Sequence, residues 1–152
     1  MLDKLDLPAS LSKAFEQAIY QVHSPAGDLT LRIGTRHARL AQLLRQENCR
    51  GAAILTAHNP QAQRCGDRFN LAAQETLLRA LQQQGMRWWP AVNQDPEGQW
   101  PNEPGFLILD ISLHQARLLA RLAKQLAFVY IEPDGVARLH QVQQRLPAPA
   151  VD

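Results

Sequence analysis

The sequence of 152 residues lacks the features that identify several large protein classes. Its two cysteines, Cys49 and Cys65, are too few for a disulfide framework and do not stand in a zinc-binding arrangement with histidines. No apolar run is long enough to span a membrane, and early aspartates replace the apolar core of a secretory signal. These absences predict a cytoplasmic protein without a membrane span, a disulfide scaffold or a metal site.

The chain also lacks an excess of charge of one sign. Sixteen lysines and arginines oppose 14 aspartates and glutamates, giving a net charge of +2 at pH 7. This near-neutral balance argues against general nucleic-acid binding. Thirteen of the basic residues are arginines, whose planar guanidinium suits bidentate contact with phosphate or carboxylate. The arginine-rich stretch from 32 to 50 could hold an anion or form a solvated helix face, and the sequence leaves both interpretations open.

Three sequence motifs that would indicate a particular reaction are missing. There is no glycine-rich phosphate loop, since Gly34 stands alone before its helix, and there is no serine nucleophile elbow or triad of metal ligands. The sequence therefore names no reaction and predicts no cofactor. It also leaves the oligomeric state open.

The hydrophobic periodicity predicts alternating helices and strands. An amphipathic helix is predicted from Pro8 to about His23, packed on the outside of a sheet. Further helices are predicted after Thr35, from about Asn70 to Gln84, and after a capping box formed by Ser112 and Gln115. Period-two or continuous apolar runs predict strands at residues 29–33, 52–57, 86–92, 106–111, 128–131 and 136–139.

This order of elements predicts the fold class. A strand at 29–33, a helix and a strand at 52–57 are typical of a βαβ unit, whose two strands run parallel. We expect an α/β domain, bordering on α+β, with a mixed, mainly parallel sheet of about five to six strands. The expected organisation is an N-terminal helix and turn at 1–27 packed on a single domain at 28–140, followed by a frayed tail at 141–152.

In an open parallel sheet, ligands bind in the crevice where strands end and helices begin. Polar and cationic side chains follow both strands of the predicted βαβ unit, and further ones precede the next helix. With two helix N-termini at the same edge, this arrangement favours an anion such as phosphate or carboxylate. The predicted ligand-binding residues are Arg36, His37, Asn59, Arg64, Arg68, Asn70 and Trp100.

Three functions remain possible on these grounds. The first is a module that binds a small anionic ligand, such as a nucleotide or a phosphorylated metabolite. The second is an enzyme that uses the same crevice, with His58 and Glu103 as candidate acid and base. The third is an interaction protein that uses the first helix and the arginine-rich faces. Gln74, on the apolar face of its helix, is predicted to tie down a neighbouring loop or to reach into a pocket.

Several segments in a fixed order resemble one protein family. They are Arg32-Ile-Gly34, Ile54-Leu-Thr-Ala-His-Asn-Pro60, an asparagine at 70 opening a helix, Gly98 to Leu107, and Gln125 to Leu139. Together they resemble a bacterial family described as domain of unknown function 3293, from about Leu29 to Leu139. The resemblance implies a compact bacterial α/β domain and no established activity.

The resemblance singles out four positions that match family motifs: Asn59, Asn70, Glu103 and Gln125. From the chain direction, we expect the two asparagines to lie at the crevice and Glu103, on a long loop, to reach over it as a lid. The family tends to carry arginine at position 73 and serine at position 105, where this chain has Ala73 and Gly105. Whether these two departures mark the loss of a family site is left open by the sequence.

Overall fold

The structure, a computed structural model, describes residues 8–142, without the side chain of Ser10. Within this range the chain forms seven strands and four α-helices. In chain order they are α1 (Ala9–Gln17), β1 (Ile19–Ser24), β2 (Gly27–Arg32), α2 (Ala38–Gln46), β3 (Ala52–Leu55), α3 (Asp67–Gln83), β4 (Trp88–Gln94), β5 (Glu103–Leu109), α4 (Leu113–Leu122), β6 (Ala127–Ile131) and β7 (Ala137–Gln141).

All seven strands belong to one sheet with the order β2-β1-β4-β5-β3-β6-β7, and every neighbouring pair is antiparallel. The prediction of an α/β domain with a mainly parallel sheet is therefore wrong. β2 and β3, which a βαβ unit would place together, are separated by β1, β4 and β5. The misleading feature is that β3 and β6 are buried at every position, and continuous apolar strands are typical of parallel sheets.

The sheet curls until its two edges meet. After β2, the backbone N–H groups of Gly34 and His37 donate to the carbonyls of Ala137 and Gly135, at 2.8 and 2.9 Å. Arg36 forms an isolated antiparallel bridge with Val136 between these two contacts. A Cβ at Gly135 would lie 2.8 Å from the His37 carbonyl oxygen, so only glycine allows this approach. The sheet is consequently a half-barrel with bonded edges.

Apolar residues fill both sides of the curled sheet. Inside it, the α2 residues Leu40, Leu43 and Leu44 pack against inward-facing strand residues. Outside it, α3 and α4 pack on the other face through Leu77, Leu81 and Leu119. These six positions were predicted as buried helix faces, and the prediction is confirmed. Leu71, Leu118 and Leu122 were predicted to face inward as well, but they are 61%, 48% and 60% exposed.

The N-terminal region differs most from its prediction. The helix ends at Gln17, and the extended backbone of Ala18 leads directly into β1. β1 pairs with both β2 and β4, so the C-terminal part of the predicted helix is instead a strand of the sheet. Ile19 and Val22 continue the helical spacing of the preceding apolar residues, and this continuity hid the two-residue period of β1. The helix boundary was therefore wrong by about six residues.

At the other terminus, β7 extends to Gln141 and Val142 is 3% exposed. The predicted frayed tail at 141–152 lies otherwise outside the described residues, as do residues 1–7 of the predicted N-terminal unit. The predicted hairpin of the last two strands, joined by the turn Glu132–Gly135, is confirmed. So is the capping box, in which Ser112 and Gln115 bond each other's backbone N–H groups.

Candidate functional site

Four polar side chains are buried in the described part of the chain, and all of them lie at one end of the half-barrel. They are Asn59, Asn70, Glu103 and Gln125, with exposed fractions of 4 to 8%. Because buried polar groups need partners, these residues, called the polar cluster below, must be fixed by hydrogen bonds. The four are also the positions that match the motifs of the resembled family.

Asn59 is the centre of the polar cluster. Its side-chain amide donates to Oε2 of Glu103 at 2.7 Å. Its Oδ1 accepts from the backbone N–H of Cys65 at 2.9 Å and from the side chain of Asn70 at 3.0 Å. In return, the backbone N–H of Asn59 donates to Oδ1 of Asn70 at 2.8 Å. Asn59 thereby joins the loop after β3 to α3 and to the first residue of β5.

Three other amide side chains, those of Asn70, Gln74 and Gln125, complete this arrangement. Asn70 was predicted to open a helix, but α3 begins at Asp67 and Asn70 lies inside its first turns. One turn further, Gln74 accepts from the backbone N–H of Ala57 and donates to the carbonyl of Pro104, at 2.9 and 2.8 Å. The prediction that Gln74 ties down a neighbouring loop is confirmed. Gln125, before β6, donates to the carbonyl of His58 at 3.1 Å.

Glu103 is the one carboxyl group of the polar cluster. It is the first residue of β5, opposite Asn93 of β4, rather than part of a mobile lid. Burial raises its pKa above the ordinary glutamate value, and hydrogen bonds from the Asn59 amide and the Trp100 indole offset this only in part. Within residues 8–142, Glu103 takes part in none of the ion pairs. A carboxyl group thus lies inside the protein with neutral partners.

Tyr20 is a further buried group near Glu103. Burial raises the pKa of its hydroxyl strongly, and the Glu103 carboxylate raises it further. Tyr20 is 3% exposed and its hydroxyl donates weakly to the carbonyl of Phe15, at 3.4 Å. Its phenol stays neutral at physiological pH.

The backbone is strained beside the polar cluster. Asn59, Gln61 and Ala62 have φ angles of 50°, 58° and 58°, and Lys124 on the adjoining loop has 56°. The N–H of Gln61 donates to the carbonyl of Lys124 at 2.7 Å, so the two strained loops hold each other. Left-handed backbone costs roughly 1–2 kcal/mol for residues such as Gln61 and Ala62, whereas asparagine tolerates it better. Such strain is concentrated at functional sites in many proteins.

A cavity of about 50 Å³, called the cleft below, opens beside the polar cluster. One face of α1 forms its outer wall, through residues spaced three and four apart. Asn59, Glu103 and Trp100 lie on the opposite wall. The residues that α1 contributes are Leu11, Ala14 and Phe15, and Ala18, directly after the helix, lines the cleft as well. The N-terminal helix therefore lies over the open end of the half-barrel instead of on the outside of the sheet.

A second cavity of about 30 Å³, the interior cavity, lies beneath the cleft on the inner face of the sheet. Phe15, Asn93, Glu103 and Gln125 line both cavities, so the two adjoin at Glu103. Apolar strand residues form most of the remaining wall of the interior cavity. They include Ile54, Ala91, Ala127, Val129 and Leu139.

Some of the predicted ligand-binding residues lie at this end of the molecule. The guanidinium of Arg64 lies 5.4 Å from the centre of the Trp100 ring and donates to the carbonyl of Gln99. Arg68 is exposed in the first turn of α3. His58 is half-buried, and burial lowers the pKa of its imidazole while the Asp67 carboxylate acts in the opposite direction.

Arg36 and His37 do not lie there. Arg36 Nε donates to the carbonyl of Asp134 at 3.0 Å, and Nδ1 of His37 caps α2 by accepting from the N–H of Leu40. Both residues contact the turn after β6, whereas Gln125 precedes β6, and a strand of this length spans about 15 Å. The expected meeting of these two residues with Asn59 required a parallel βαβ unit, which the fold does not contain.

The site also contains residues that the sequence did not indicate. Phe15 and Tyr20 were assigned to an amphipathic helix, and Asn93 to an irregular loop. The antiparallel pairing of β1 with β4 and of β4 with β5 brings Tyr20 and Asn93 beside Glu103, and Phe15 reaches the same cavities from α1. For Gln125, the family resemblance alone gave an indication.

The part of the chain that contains the polar cluster is similar to a known protein family. Residues 55–128 match a family described as a protein of unknown function, DUF3293. This segment of the chain is similar to that family. The resemblance noted in the sequence is confirmed there, and the DUF3293 segment contains all four residues of the polar cluster. No curated protein and no solved structure was found to match the chain.

Residues 8–142 contain no group of three or more histidine, cysteine, aspartate or glutamate residues placed to hold a metal ion. None of the helices in that range has both the length and the apolar character needed to cross a membrane.

Proposed function

We propose that the protein binds a small molecule in the cleft, and that the carboxyl group of Glu103 recognises it. The observation that carries this proposal is a buried carboxyl group, beside a cavity, whose partners are neutral. A carboxylate can accept about four hydrogen bonds, and the Asn59 amide and Trp100 indole supply two. A ligand with a hydrogen-bond donor, such as an amine or a hydroxyl group, would supply the others.

A purely structural role explains this arrangement less well. Burying a carboxyl group without a cation is costly, and a glutamine of similar size would form the same bond with Asn59 at lower cost. The left-handed backbone of Gln61 and Ala62 adds a second cost at the same place. Two costly features beside one cavity support a binding role.

The proposal is tested by thermal unfolding with a panel of small amines, amino alcohols and polyols. A ligand present at one hundred times its Kd stabilises the folded protein by about 2.7 kcal/mol. We expect Glu103→Gln to abolish the stabilisation and Glu97→Gln, at an exposed glutamate of the loop before β5, to leave it unchanged. If no compound stabilises the protein at 10 mM, on the order of a weak ligand's Kd, or if Glu103→Gln responds like the wild type, the proposal is wrong.

The anionic ligand predicted from the sequence, a nucleotide or a phosphorylated metabolite, is a second candidate. The contact between the Arg64 guanidinium and the Trp100 ring favours it, because this places a cation at the rim of the cleft. Arg68 could assist, whereas Arg36 and His37 cannot. Stabilisation by nucleotides that is lost in Arg64→Gln and kept in Glu103→Gln would favour this candidate over the first.

The other hypotheses stay predictions. An enzyme would use Glu103 as its acid or base, with His58 on the neighbouring loop. An interaction protein would use the arginine-rich faces. A bacterial origin, a cytoplasmic location and a small molecule rather than a nucleic acid as the partner belong to the same proposal.

A further inference from the structure

We infer that the ligand is amphiphilic: its polar head group binds Glu103, and a short apolar group enters the interior cavity of the half-barrel. This inference rests on the proposed function and adds the chemical class of the ligand. It follows from the position of Glu103, which lies where the cleft and the interior cavity adjoin.

Most polar side chains of the interior cavity lie at its boundary with the cleft, and the two that line the interior cavity alone, Tyr20 and Thr56, donate their hydroxyl hydrogens to backbone carbonyls. Glu103, Asn93 and Gln125 line both of them, whereas the deeper wall consists mainly of aliphatic side chains from β3, β4, β6 and β7. A head group held by Glu103 therefore points any attached group either back to the mouth of the cleft or into an apolar space. A water molecule in that deeper space would find few polar partners, whereas an alkyl group would not need them.

Small residues keep the interior cavity open. Ala91 and Ala127 face it from β4 and β6, and both are buried, at 2% and 7% exposure. Larger side chains at these positions would fill the space within reach of Glu103. The length of the apolar group is therefore limited by identifiable residues, and changing them should change the preferred length.

The test is calorimetric titration with straight-chain primary amines from methylamine to hexylamine. Since a buried methylene is worth about 0.8 kcal/mol, affinity should rise about fourfold for each carbon until the cavity is full, and then level off. We expect Ala91→Val to shorten the chain at which affinity levels off and Val129→Ala, which enlarges the same cavity, to lengthen it. Methylamine, which does not reach the cavity, should bind both variants as it binds the wild type.

Each outcome separates the inference from the proposal on which it rests. If no amine binds, including methylamine, both are overturned. If methylamine binds but affinity does not depend on chain length, only the inference is overturned. The same holds if affinity rises with chain length equally in the wild type, Ala91→Val and Val129→Ala, because the apolar group would then lie elsewhere. Because the two variants change the cavity in opposite directions, one that fails to fold still leaves the other as a test.

Discussion

The two ends of the half-barrel differ in the surroundings of their charged side chains. At the end with the β6–β7 turn, charged side chains form exposed ion pairs. These include Arg50 with Asp110, Arg87 with Glu47, and Arg138 with Glu132 and Asp134. At the other end, Glu103 is buried and its partners are the neutral side chains of Asn59 and Trp100.

This difference indicates which end supports the fold and which end is available for function. Exposed ion pairs contribute roughly 0–1 kcal/mol each and lose little when one partner is removed, because water replaces it. A buried carboxyl group has no such substitute and depends on every donor around it. The end at which a charge lacks a charged partner is the end where a ligand could supply what is missing.

The largest effect on stability is expected at Asn59. Asn59→Ala removes the three side-chain hydrogen bonds that join the loop, α3 and β5, leaves their partners unpaired, and puts alanine at a φ of 50°. We expect a loss of about 4 kcal/mol in the free energy of unfolding, measured by urea denaturation. Asn59→Gly is the matched control and should recover about 1–2 kcal/mol, because glycine tolerates left-handed backbone. Equal losses in the two variants would show that alanine is not strained at this φ.

Two glycines provide the next comparison, one at each end. At Gly105, a Cβ would lie 2.3 Å from the backbone carbonyl oxygen of Leu55. Gly105→Ser, which introduces the residue that the resembled family tends to carry, should cost about 3 kcal/mol here, because a backbone atom in a sheet cannot give way. Denaturation by urea measures it, and a serine accommodated at under about 1 kcal/mol would contradict the close approach of β3 and β5.

At Gly51, the obstacle is a side chain instead. A Cβ there would lie 2.1 Å from the hydroxyl oxygen of Tyr130, which donates to the carbonyl of Ile111. We expect Gly51→Ala to cost about 2 kcal/mol in the wild type and less in a Tyr130→Phe background, where the hydroxyl group is absent. A double-mutant cycle measures this coupling, and an unchanged cost in the Tyr130→Phe background would exclude the hydroxyl as the obstacle.

The pH dependence of stability should have opposite directions at the two ends. The folded-state pKa of Glu103 is raised, so its contribution is present below its ordinary value of 4.5 and is lost as the pH rises through the raised value. The pKa of Asp110 is lowered, chiefly by the N–H and guanidinium of Arg50, so its contribution is present above its ordinary value of 3.8 and is lost as the pH falls.

Urea denaturation between pH 3 and 8, on the order of the range spanned by these ordinary carboxyl pKa values, tests both directions. Relative to Glu103→Gln, the wild type should lose stability as the pH rises above 4.5. Relative to Asp110→Asn, it should lose stability only as the pH falls toward and below 3.8. If both differences change in the same direction, the electrostatic contrast between the two ends is not real.

The smallest effect is expected from removing the exposed ion pair itself. Asp110 and Arg50 have side chains that are 39% and 74% exposed, so Asp110→Asn at neutral pH should cost less than about 1 kcal/mol. Asparagine also tolerates the φ of 52° at this position. Thermal unfolding at low and high salt measures it. A loss comparable to that of Asn59→Ala would mean that this end, too, depends on a fixed polar arrangement.

Local sequence patterns predicted most helices and strands, but they did not predict which strands lie next to each other in the sheet. Six of the seven strands, the helix faces of α2 and the Ser112 capping box follow from residue spacing, because each depends on side chains close in the sequence. The order of strands depends on contacts between distant residues, and no local pattern shows it. Because α2 fills one face and α3 and α4 cover the other, the strands between them carry apolar residues on both faces.

Only the part of the site that is formed by residues close in the sequence was predicted correctly. Asn59, Asn70 and Gln74 lie within one loop and the helix that follows it, so chain order places them together. Arg36 and His37 were assigned to the site through the assumed parallel unit, and the antiparallel order moves them to the other end. Asn93 enters the site through its register with Glu103, a pairing that only the full sheet determines.

The bonded edges of the half-barrel have a consequence for how the chain folds. Arg36 and Val136, which form the closing bridge, are 100 positions apart in the sequence. A contact of such high sequence separation forms late and slows folding, because a long loop must be ordered first. Until β7 joins, β2 and β6 present unpaired backbone groups that can recruit a second chain. During synthesis, a chain that has emerged only as far as β6 would therefore be the species most exposed to aggregation.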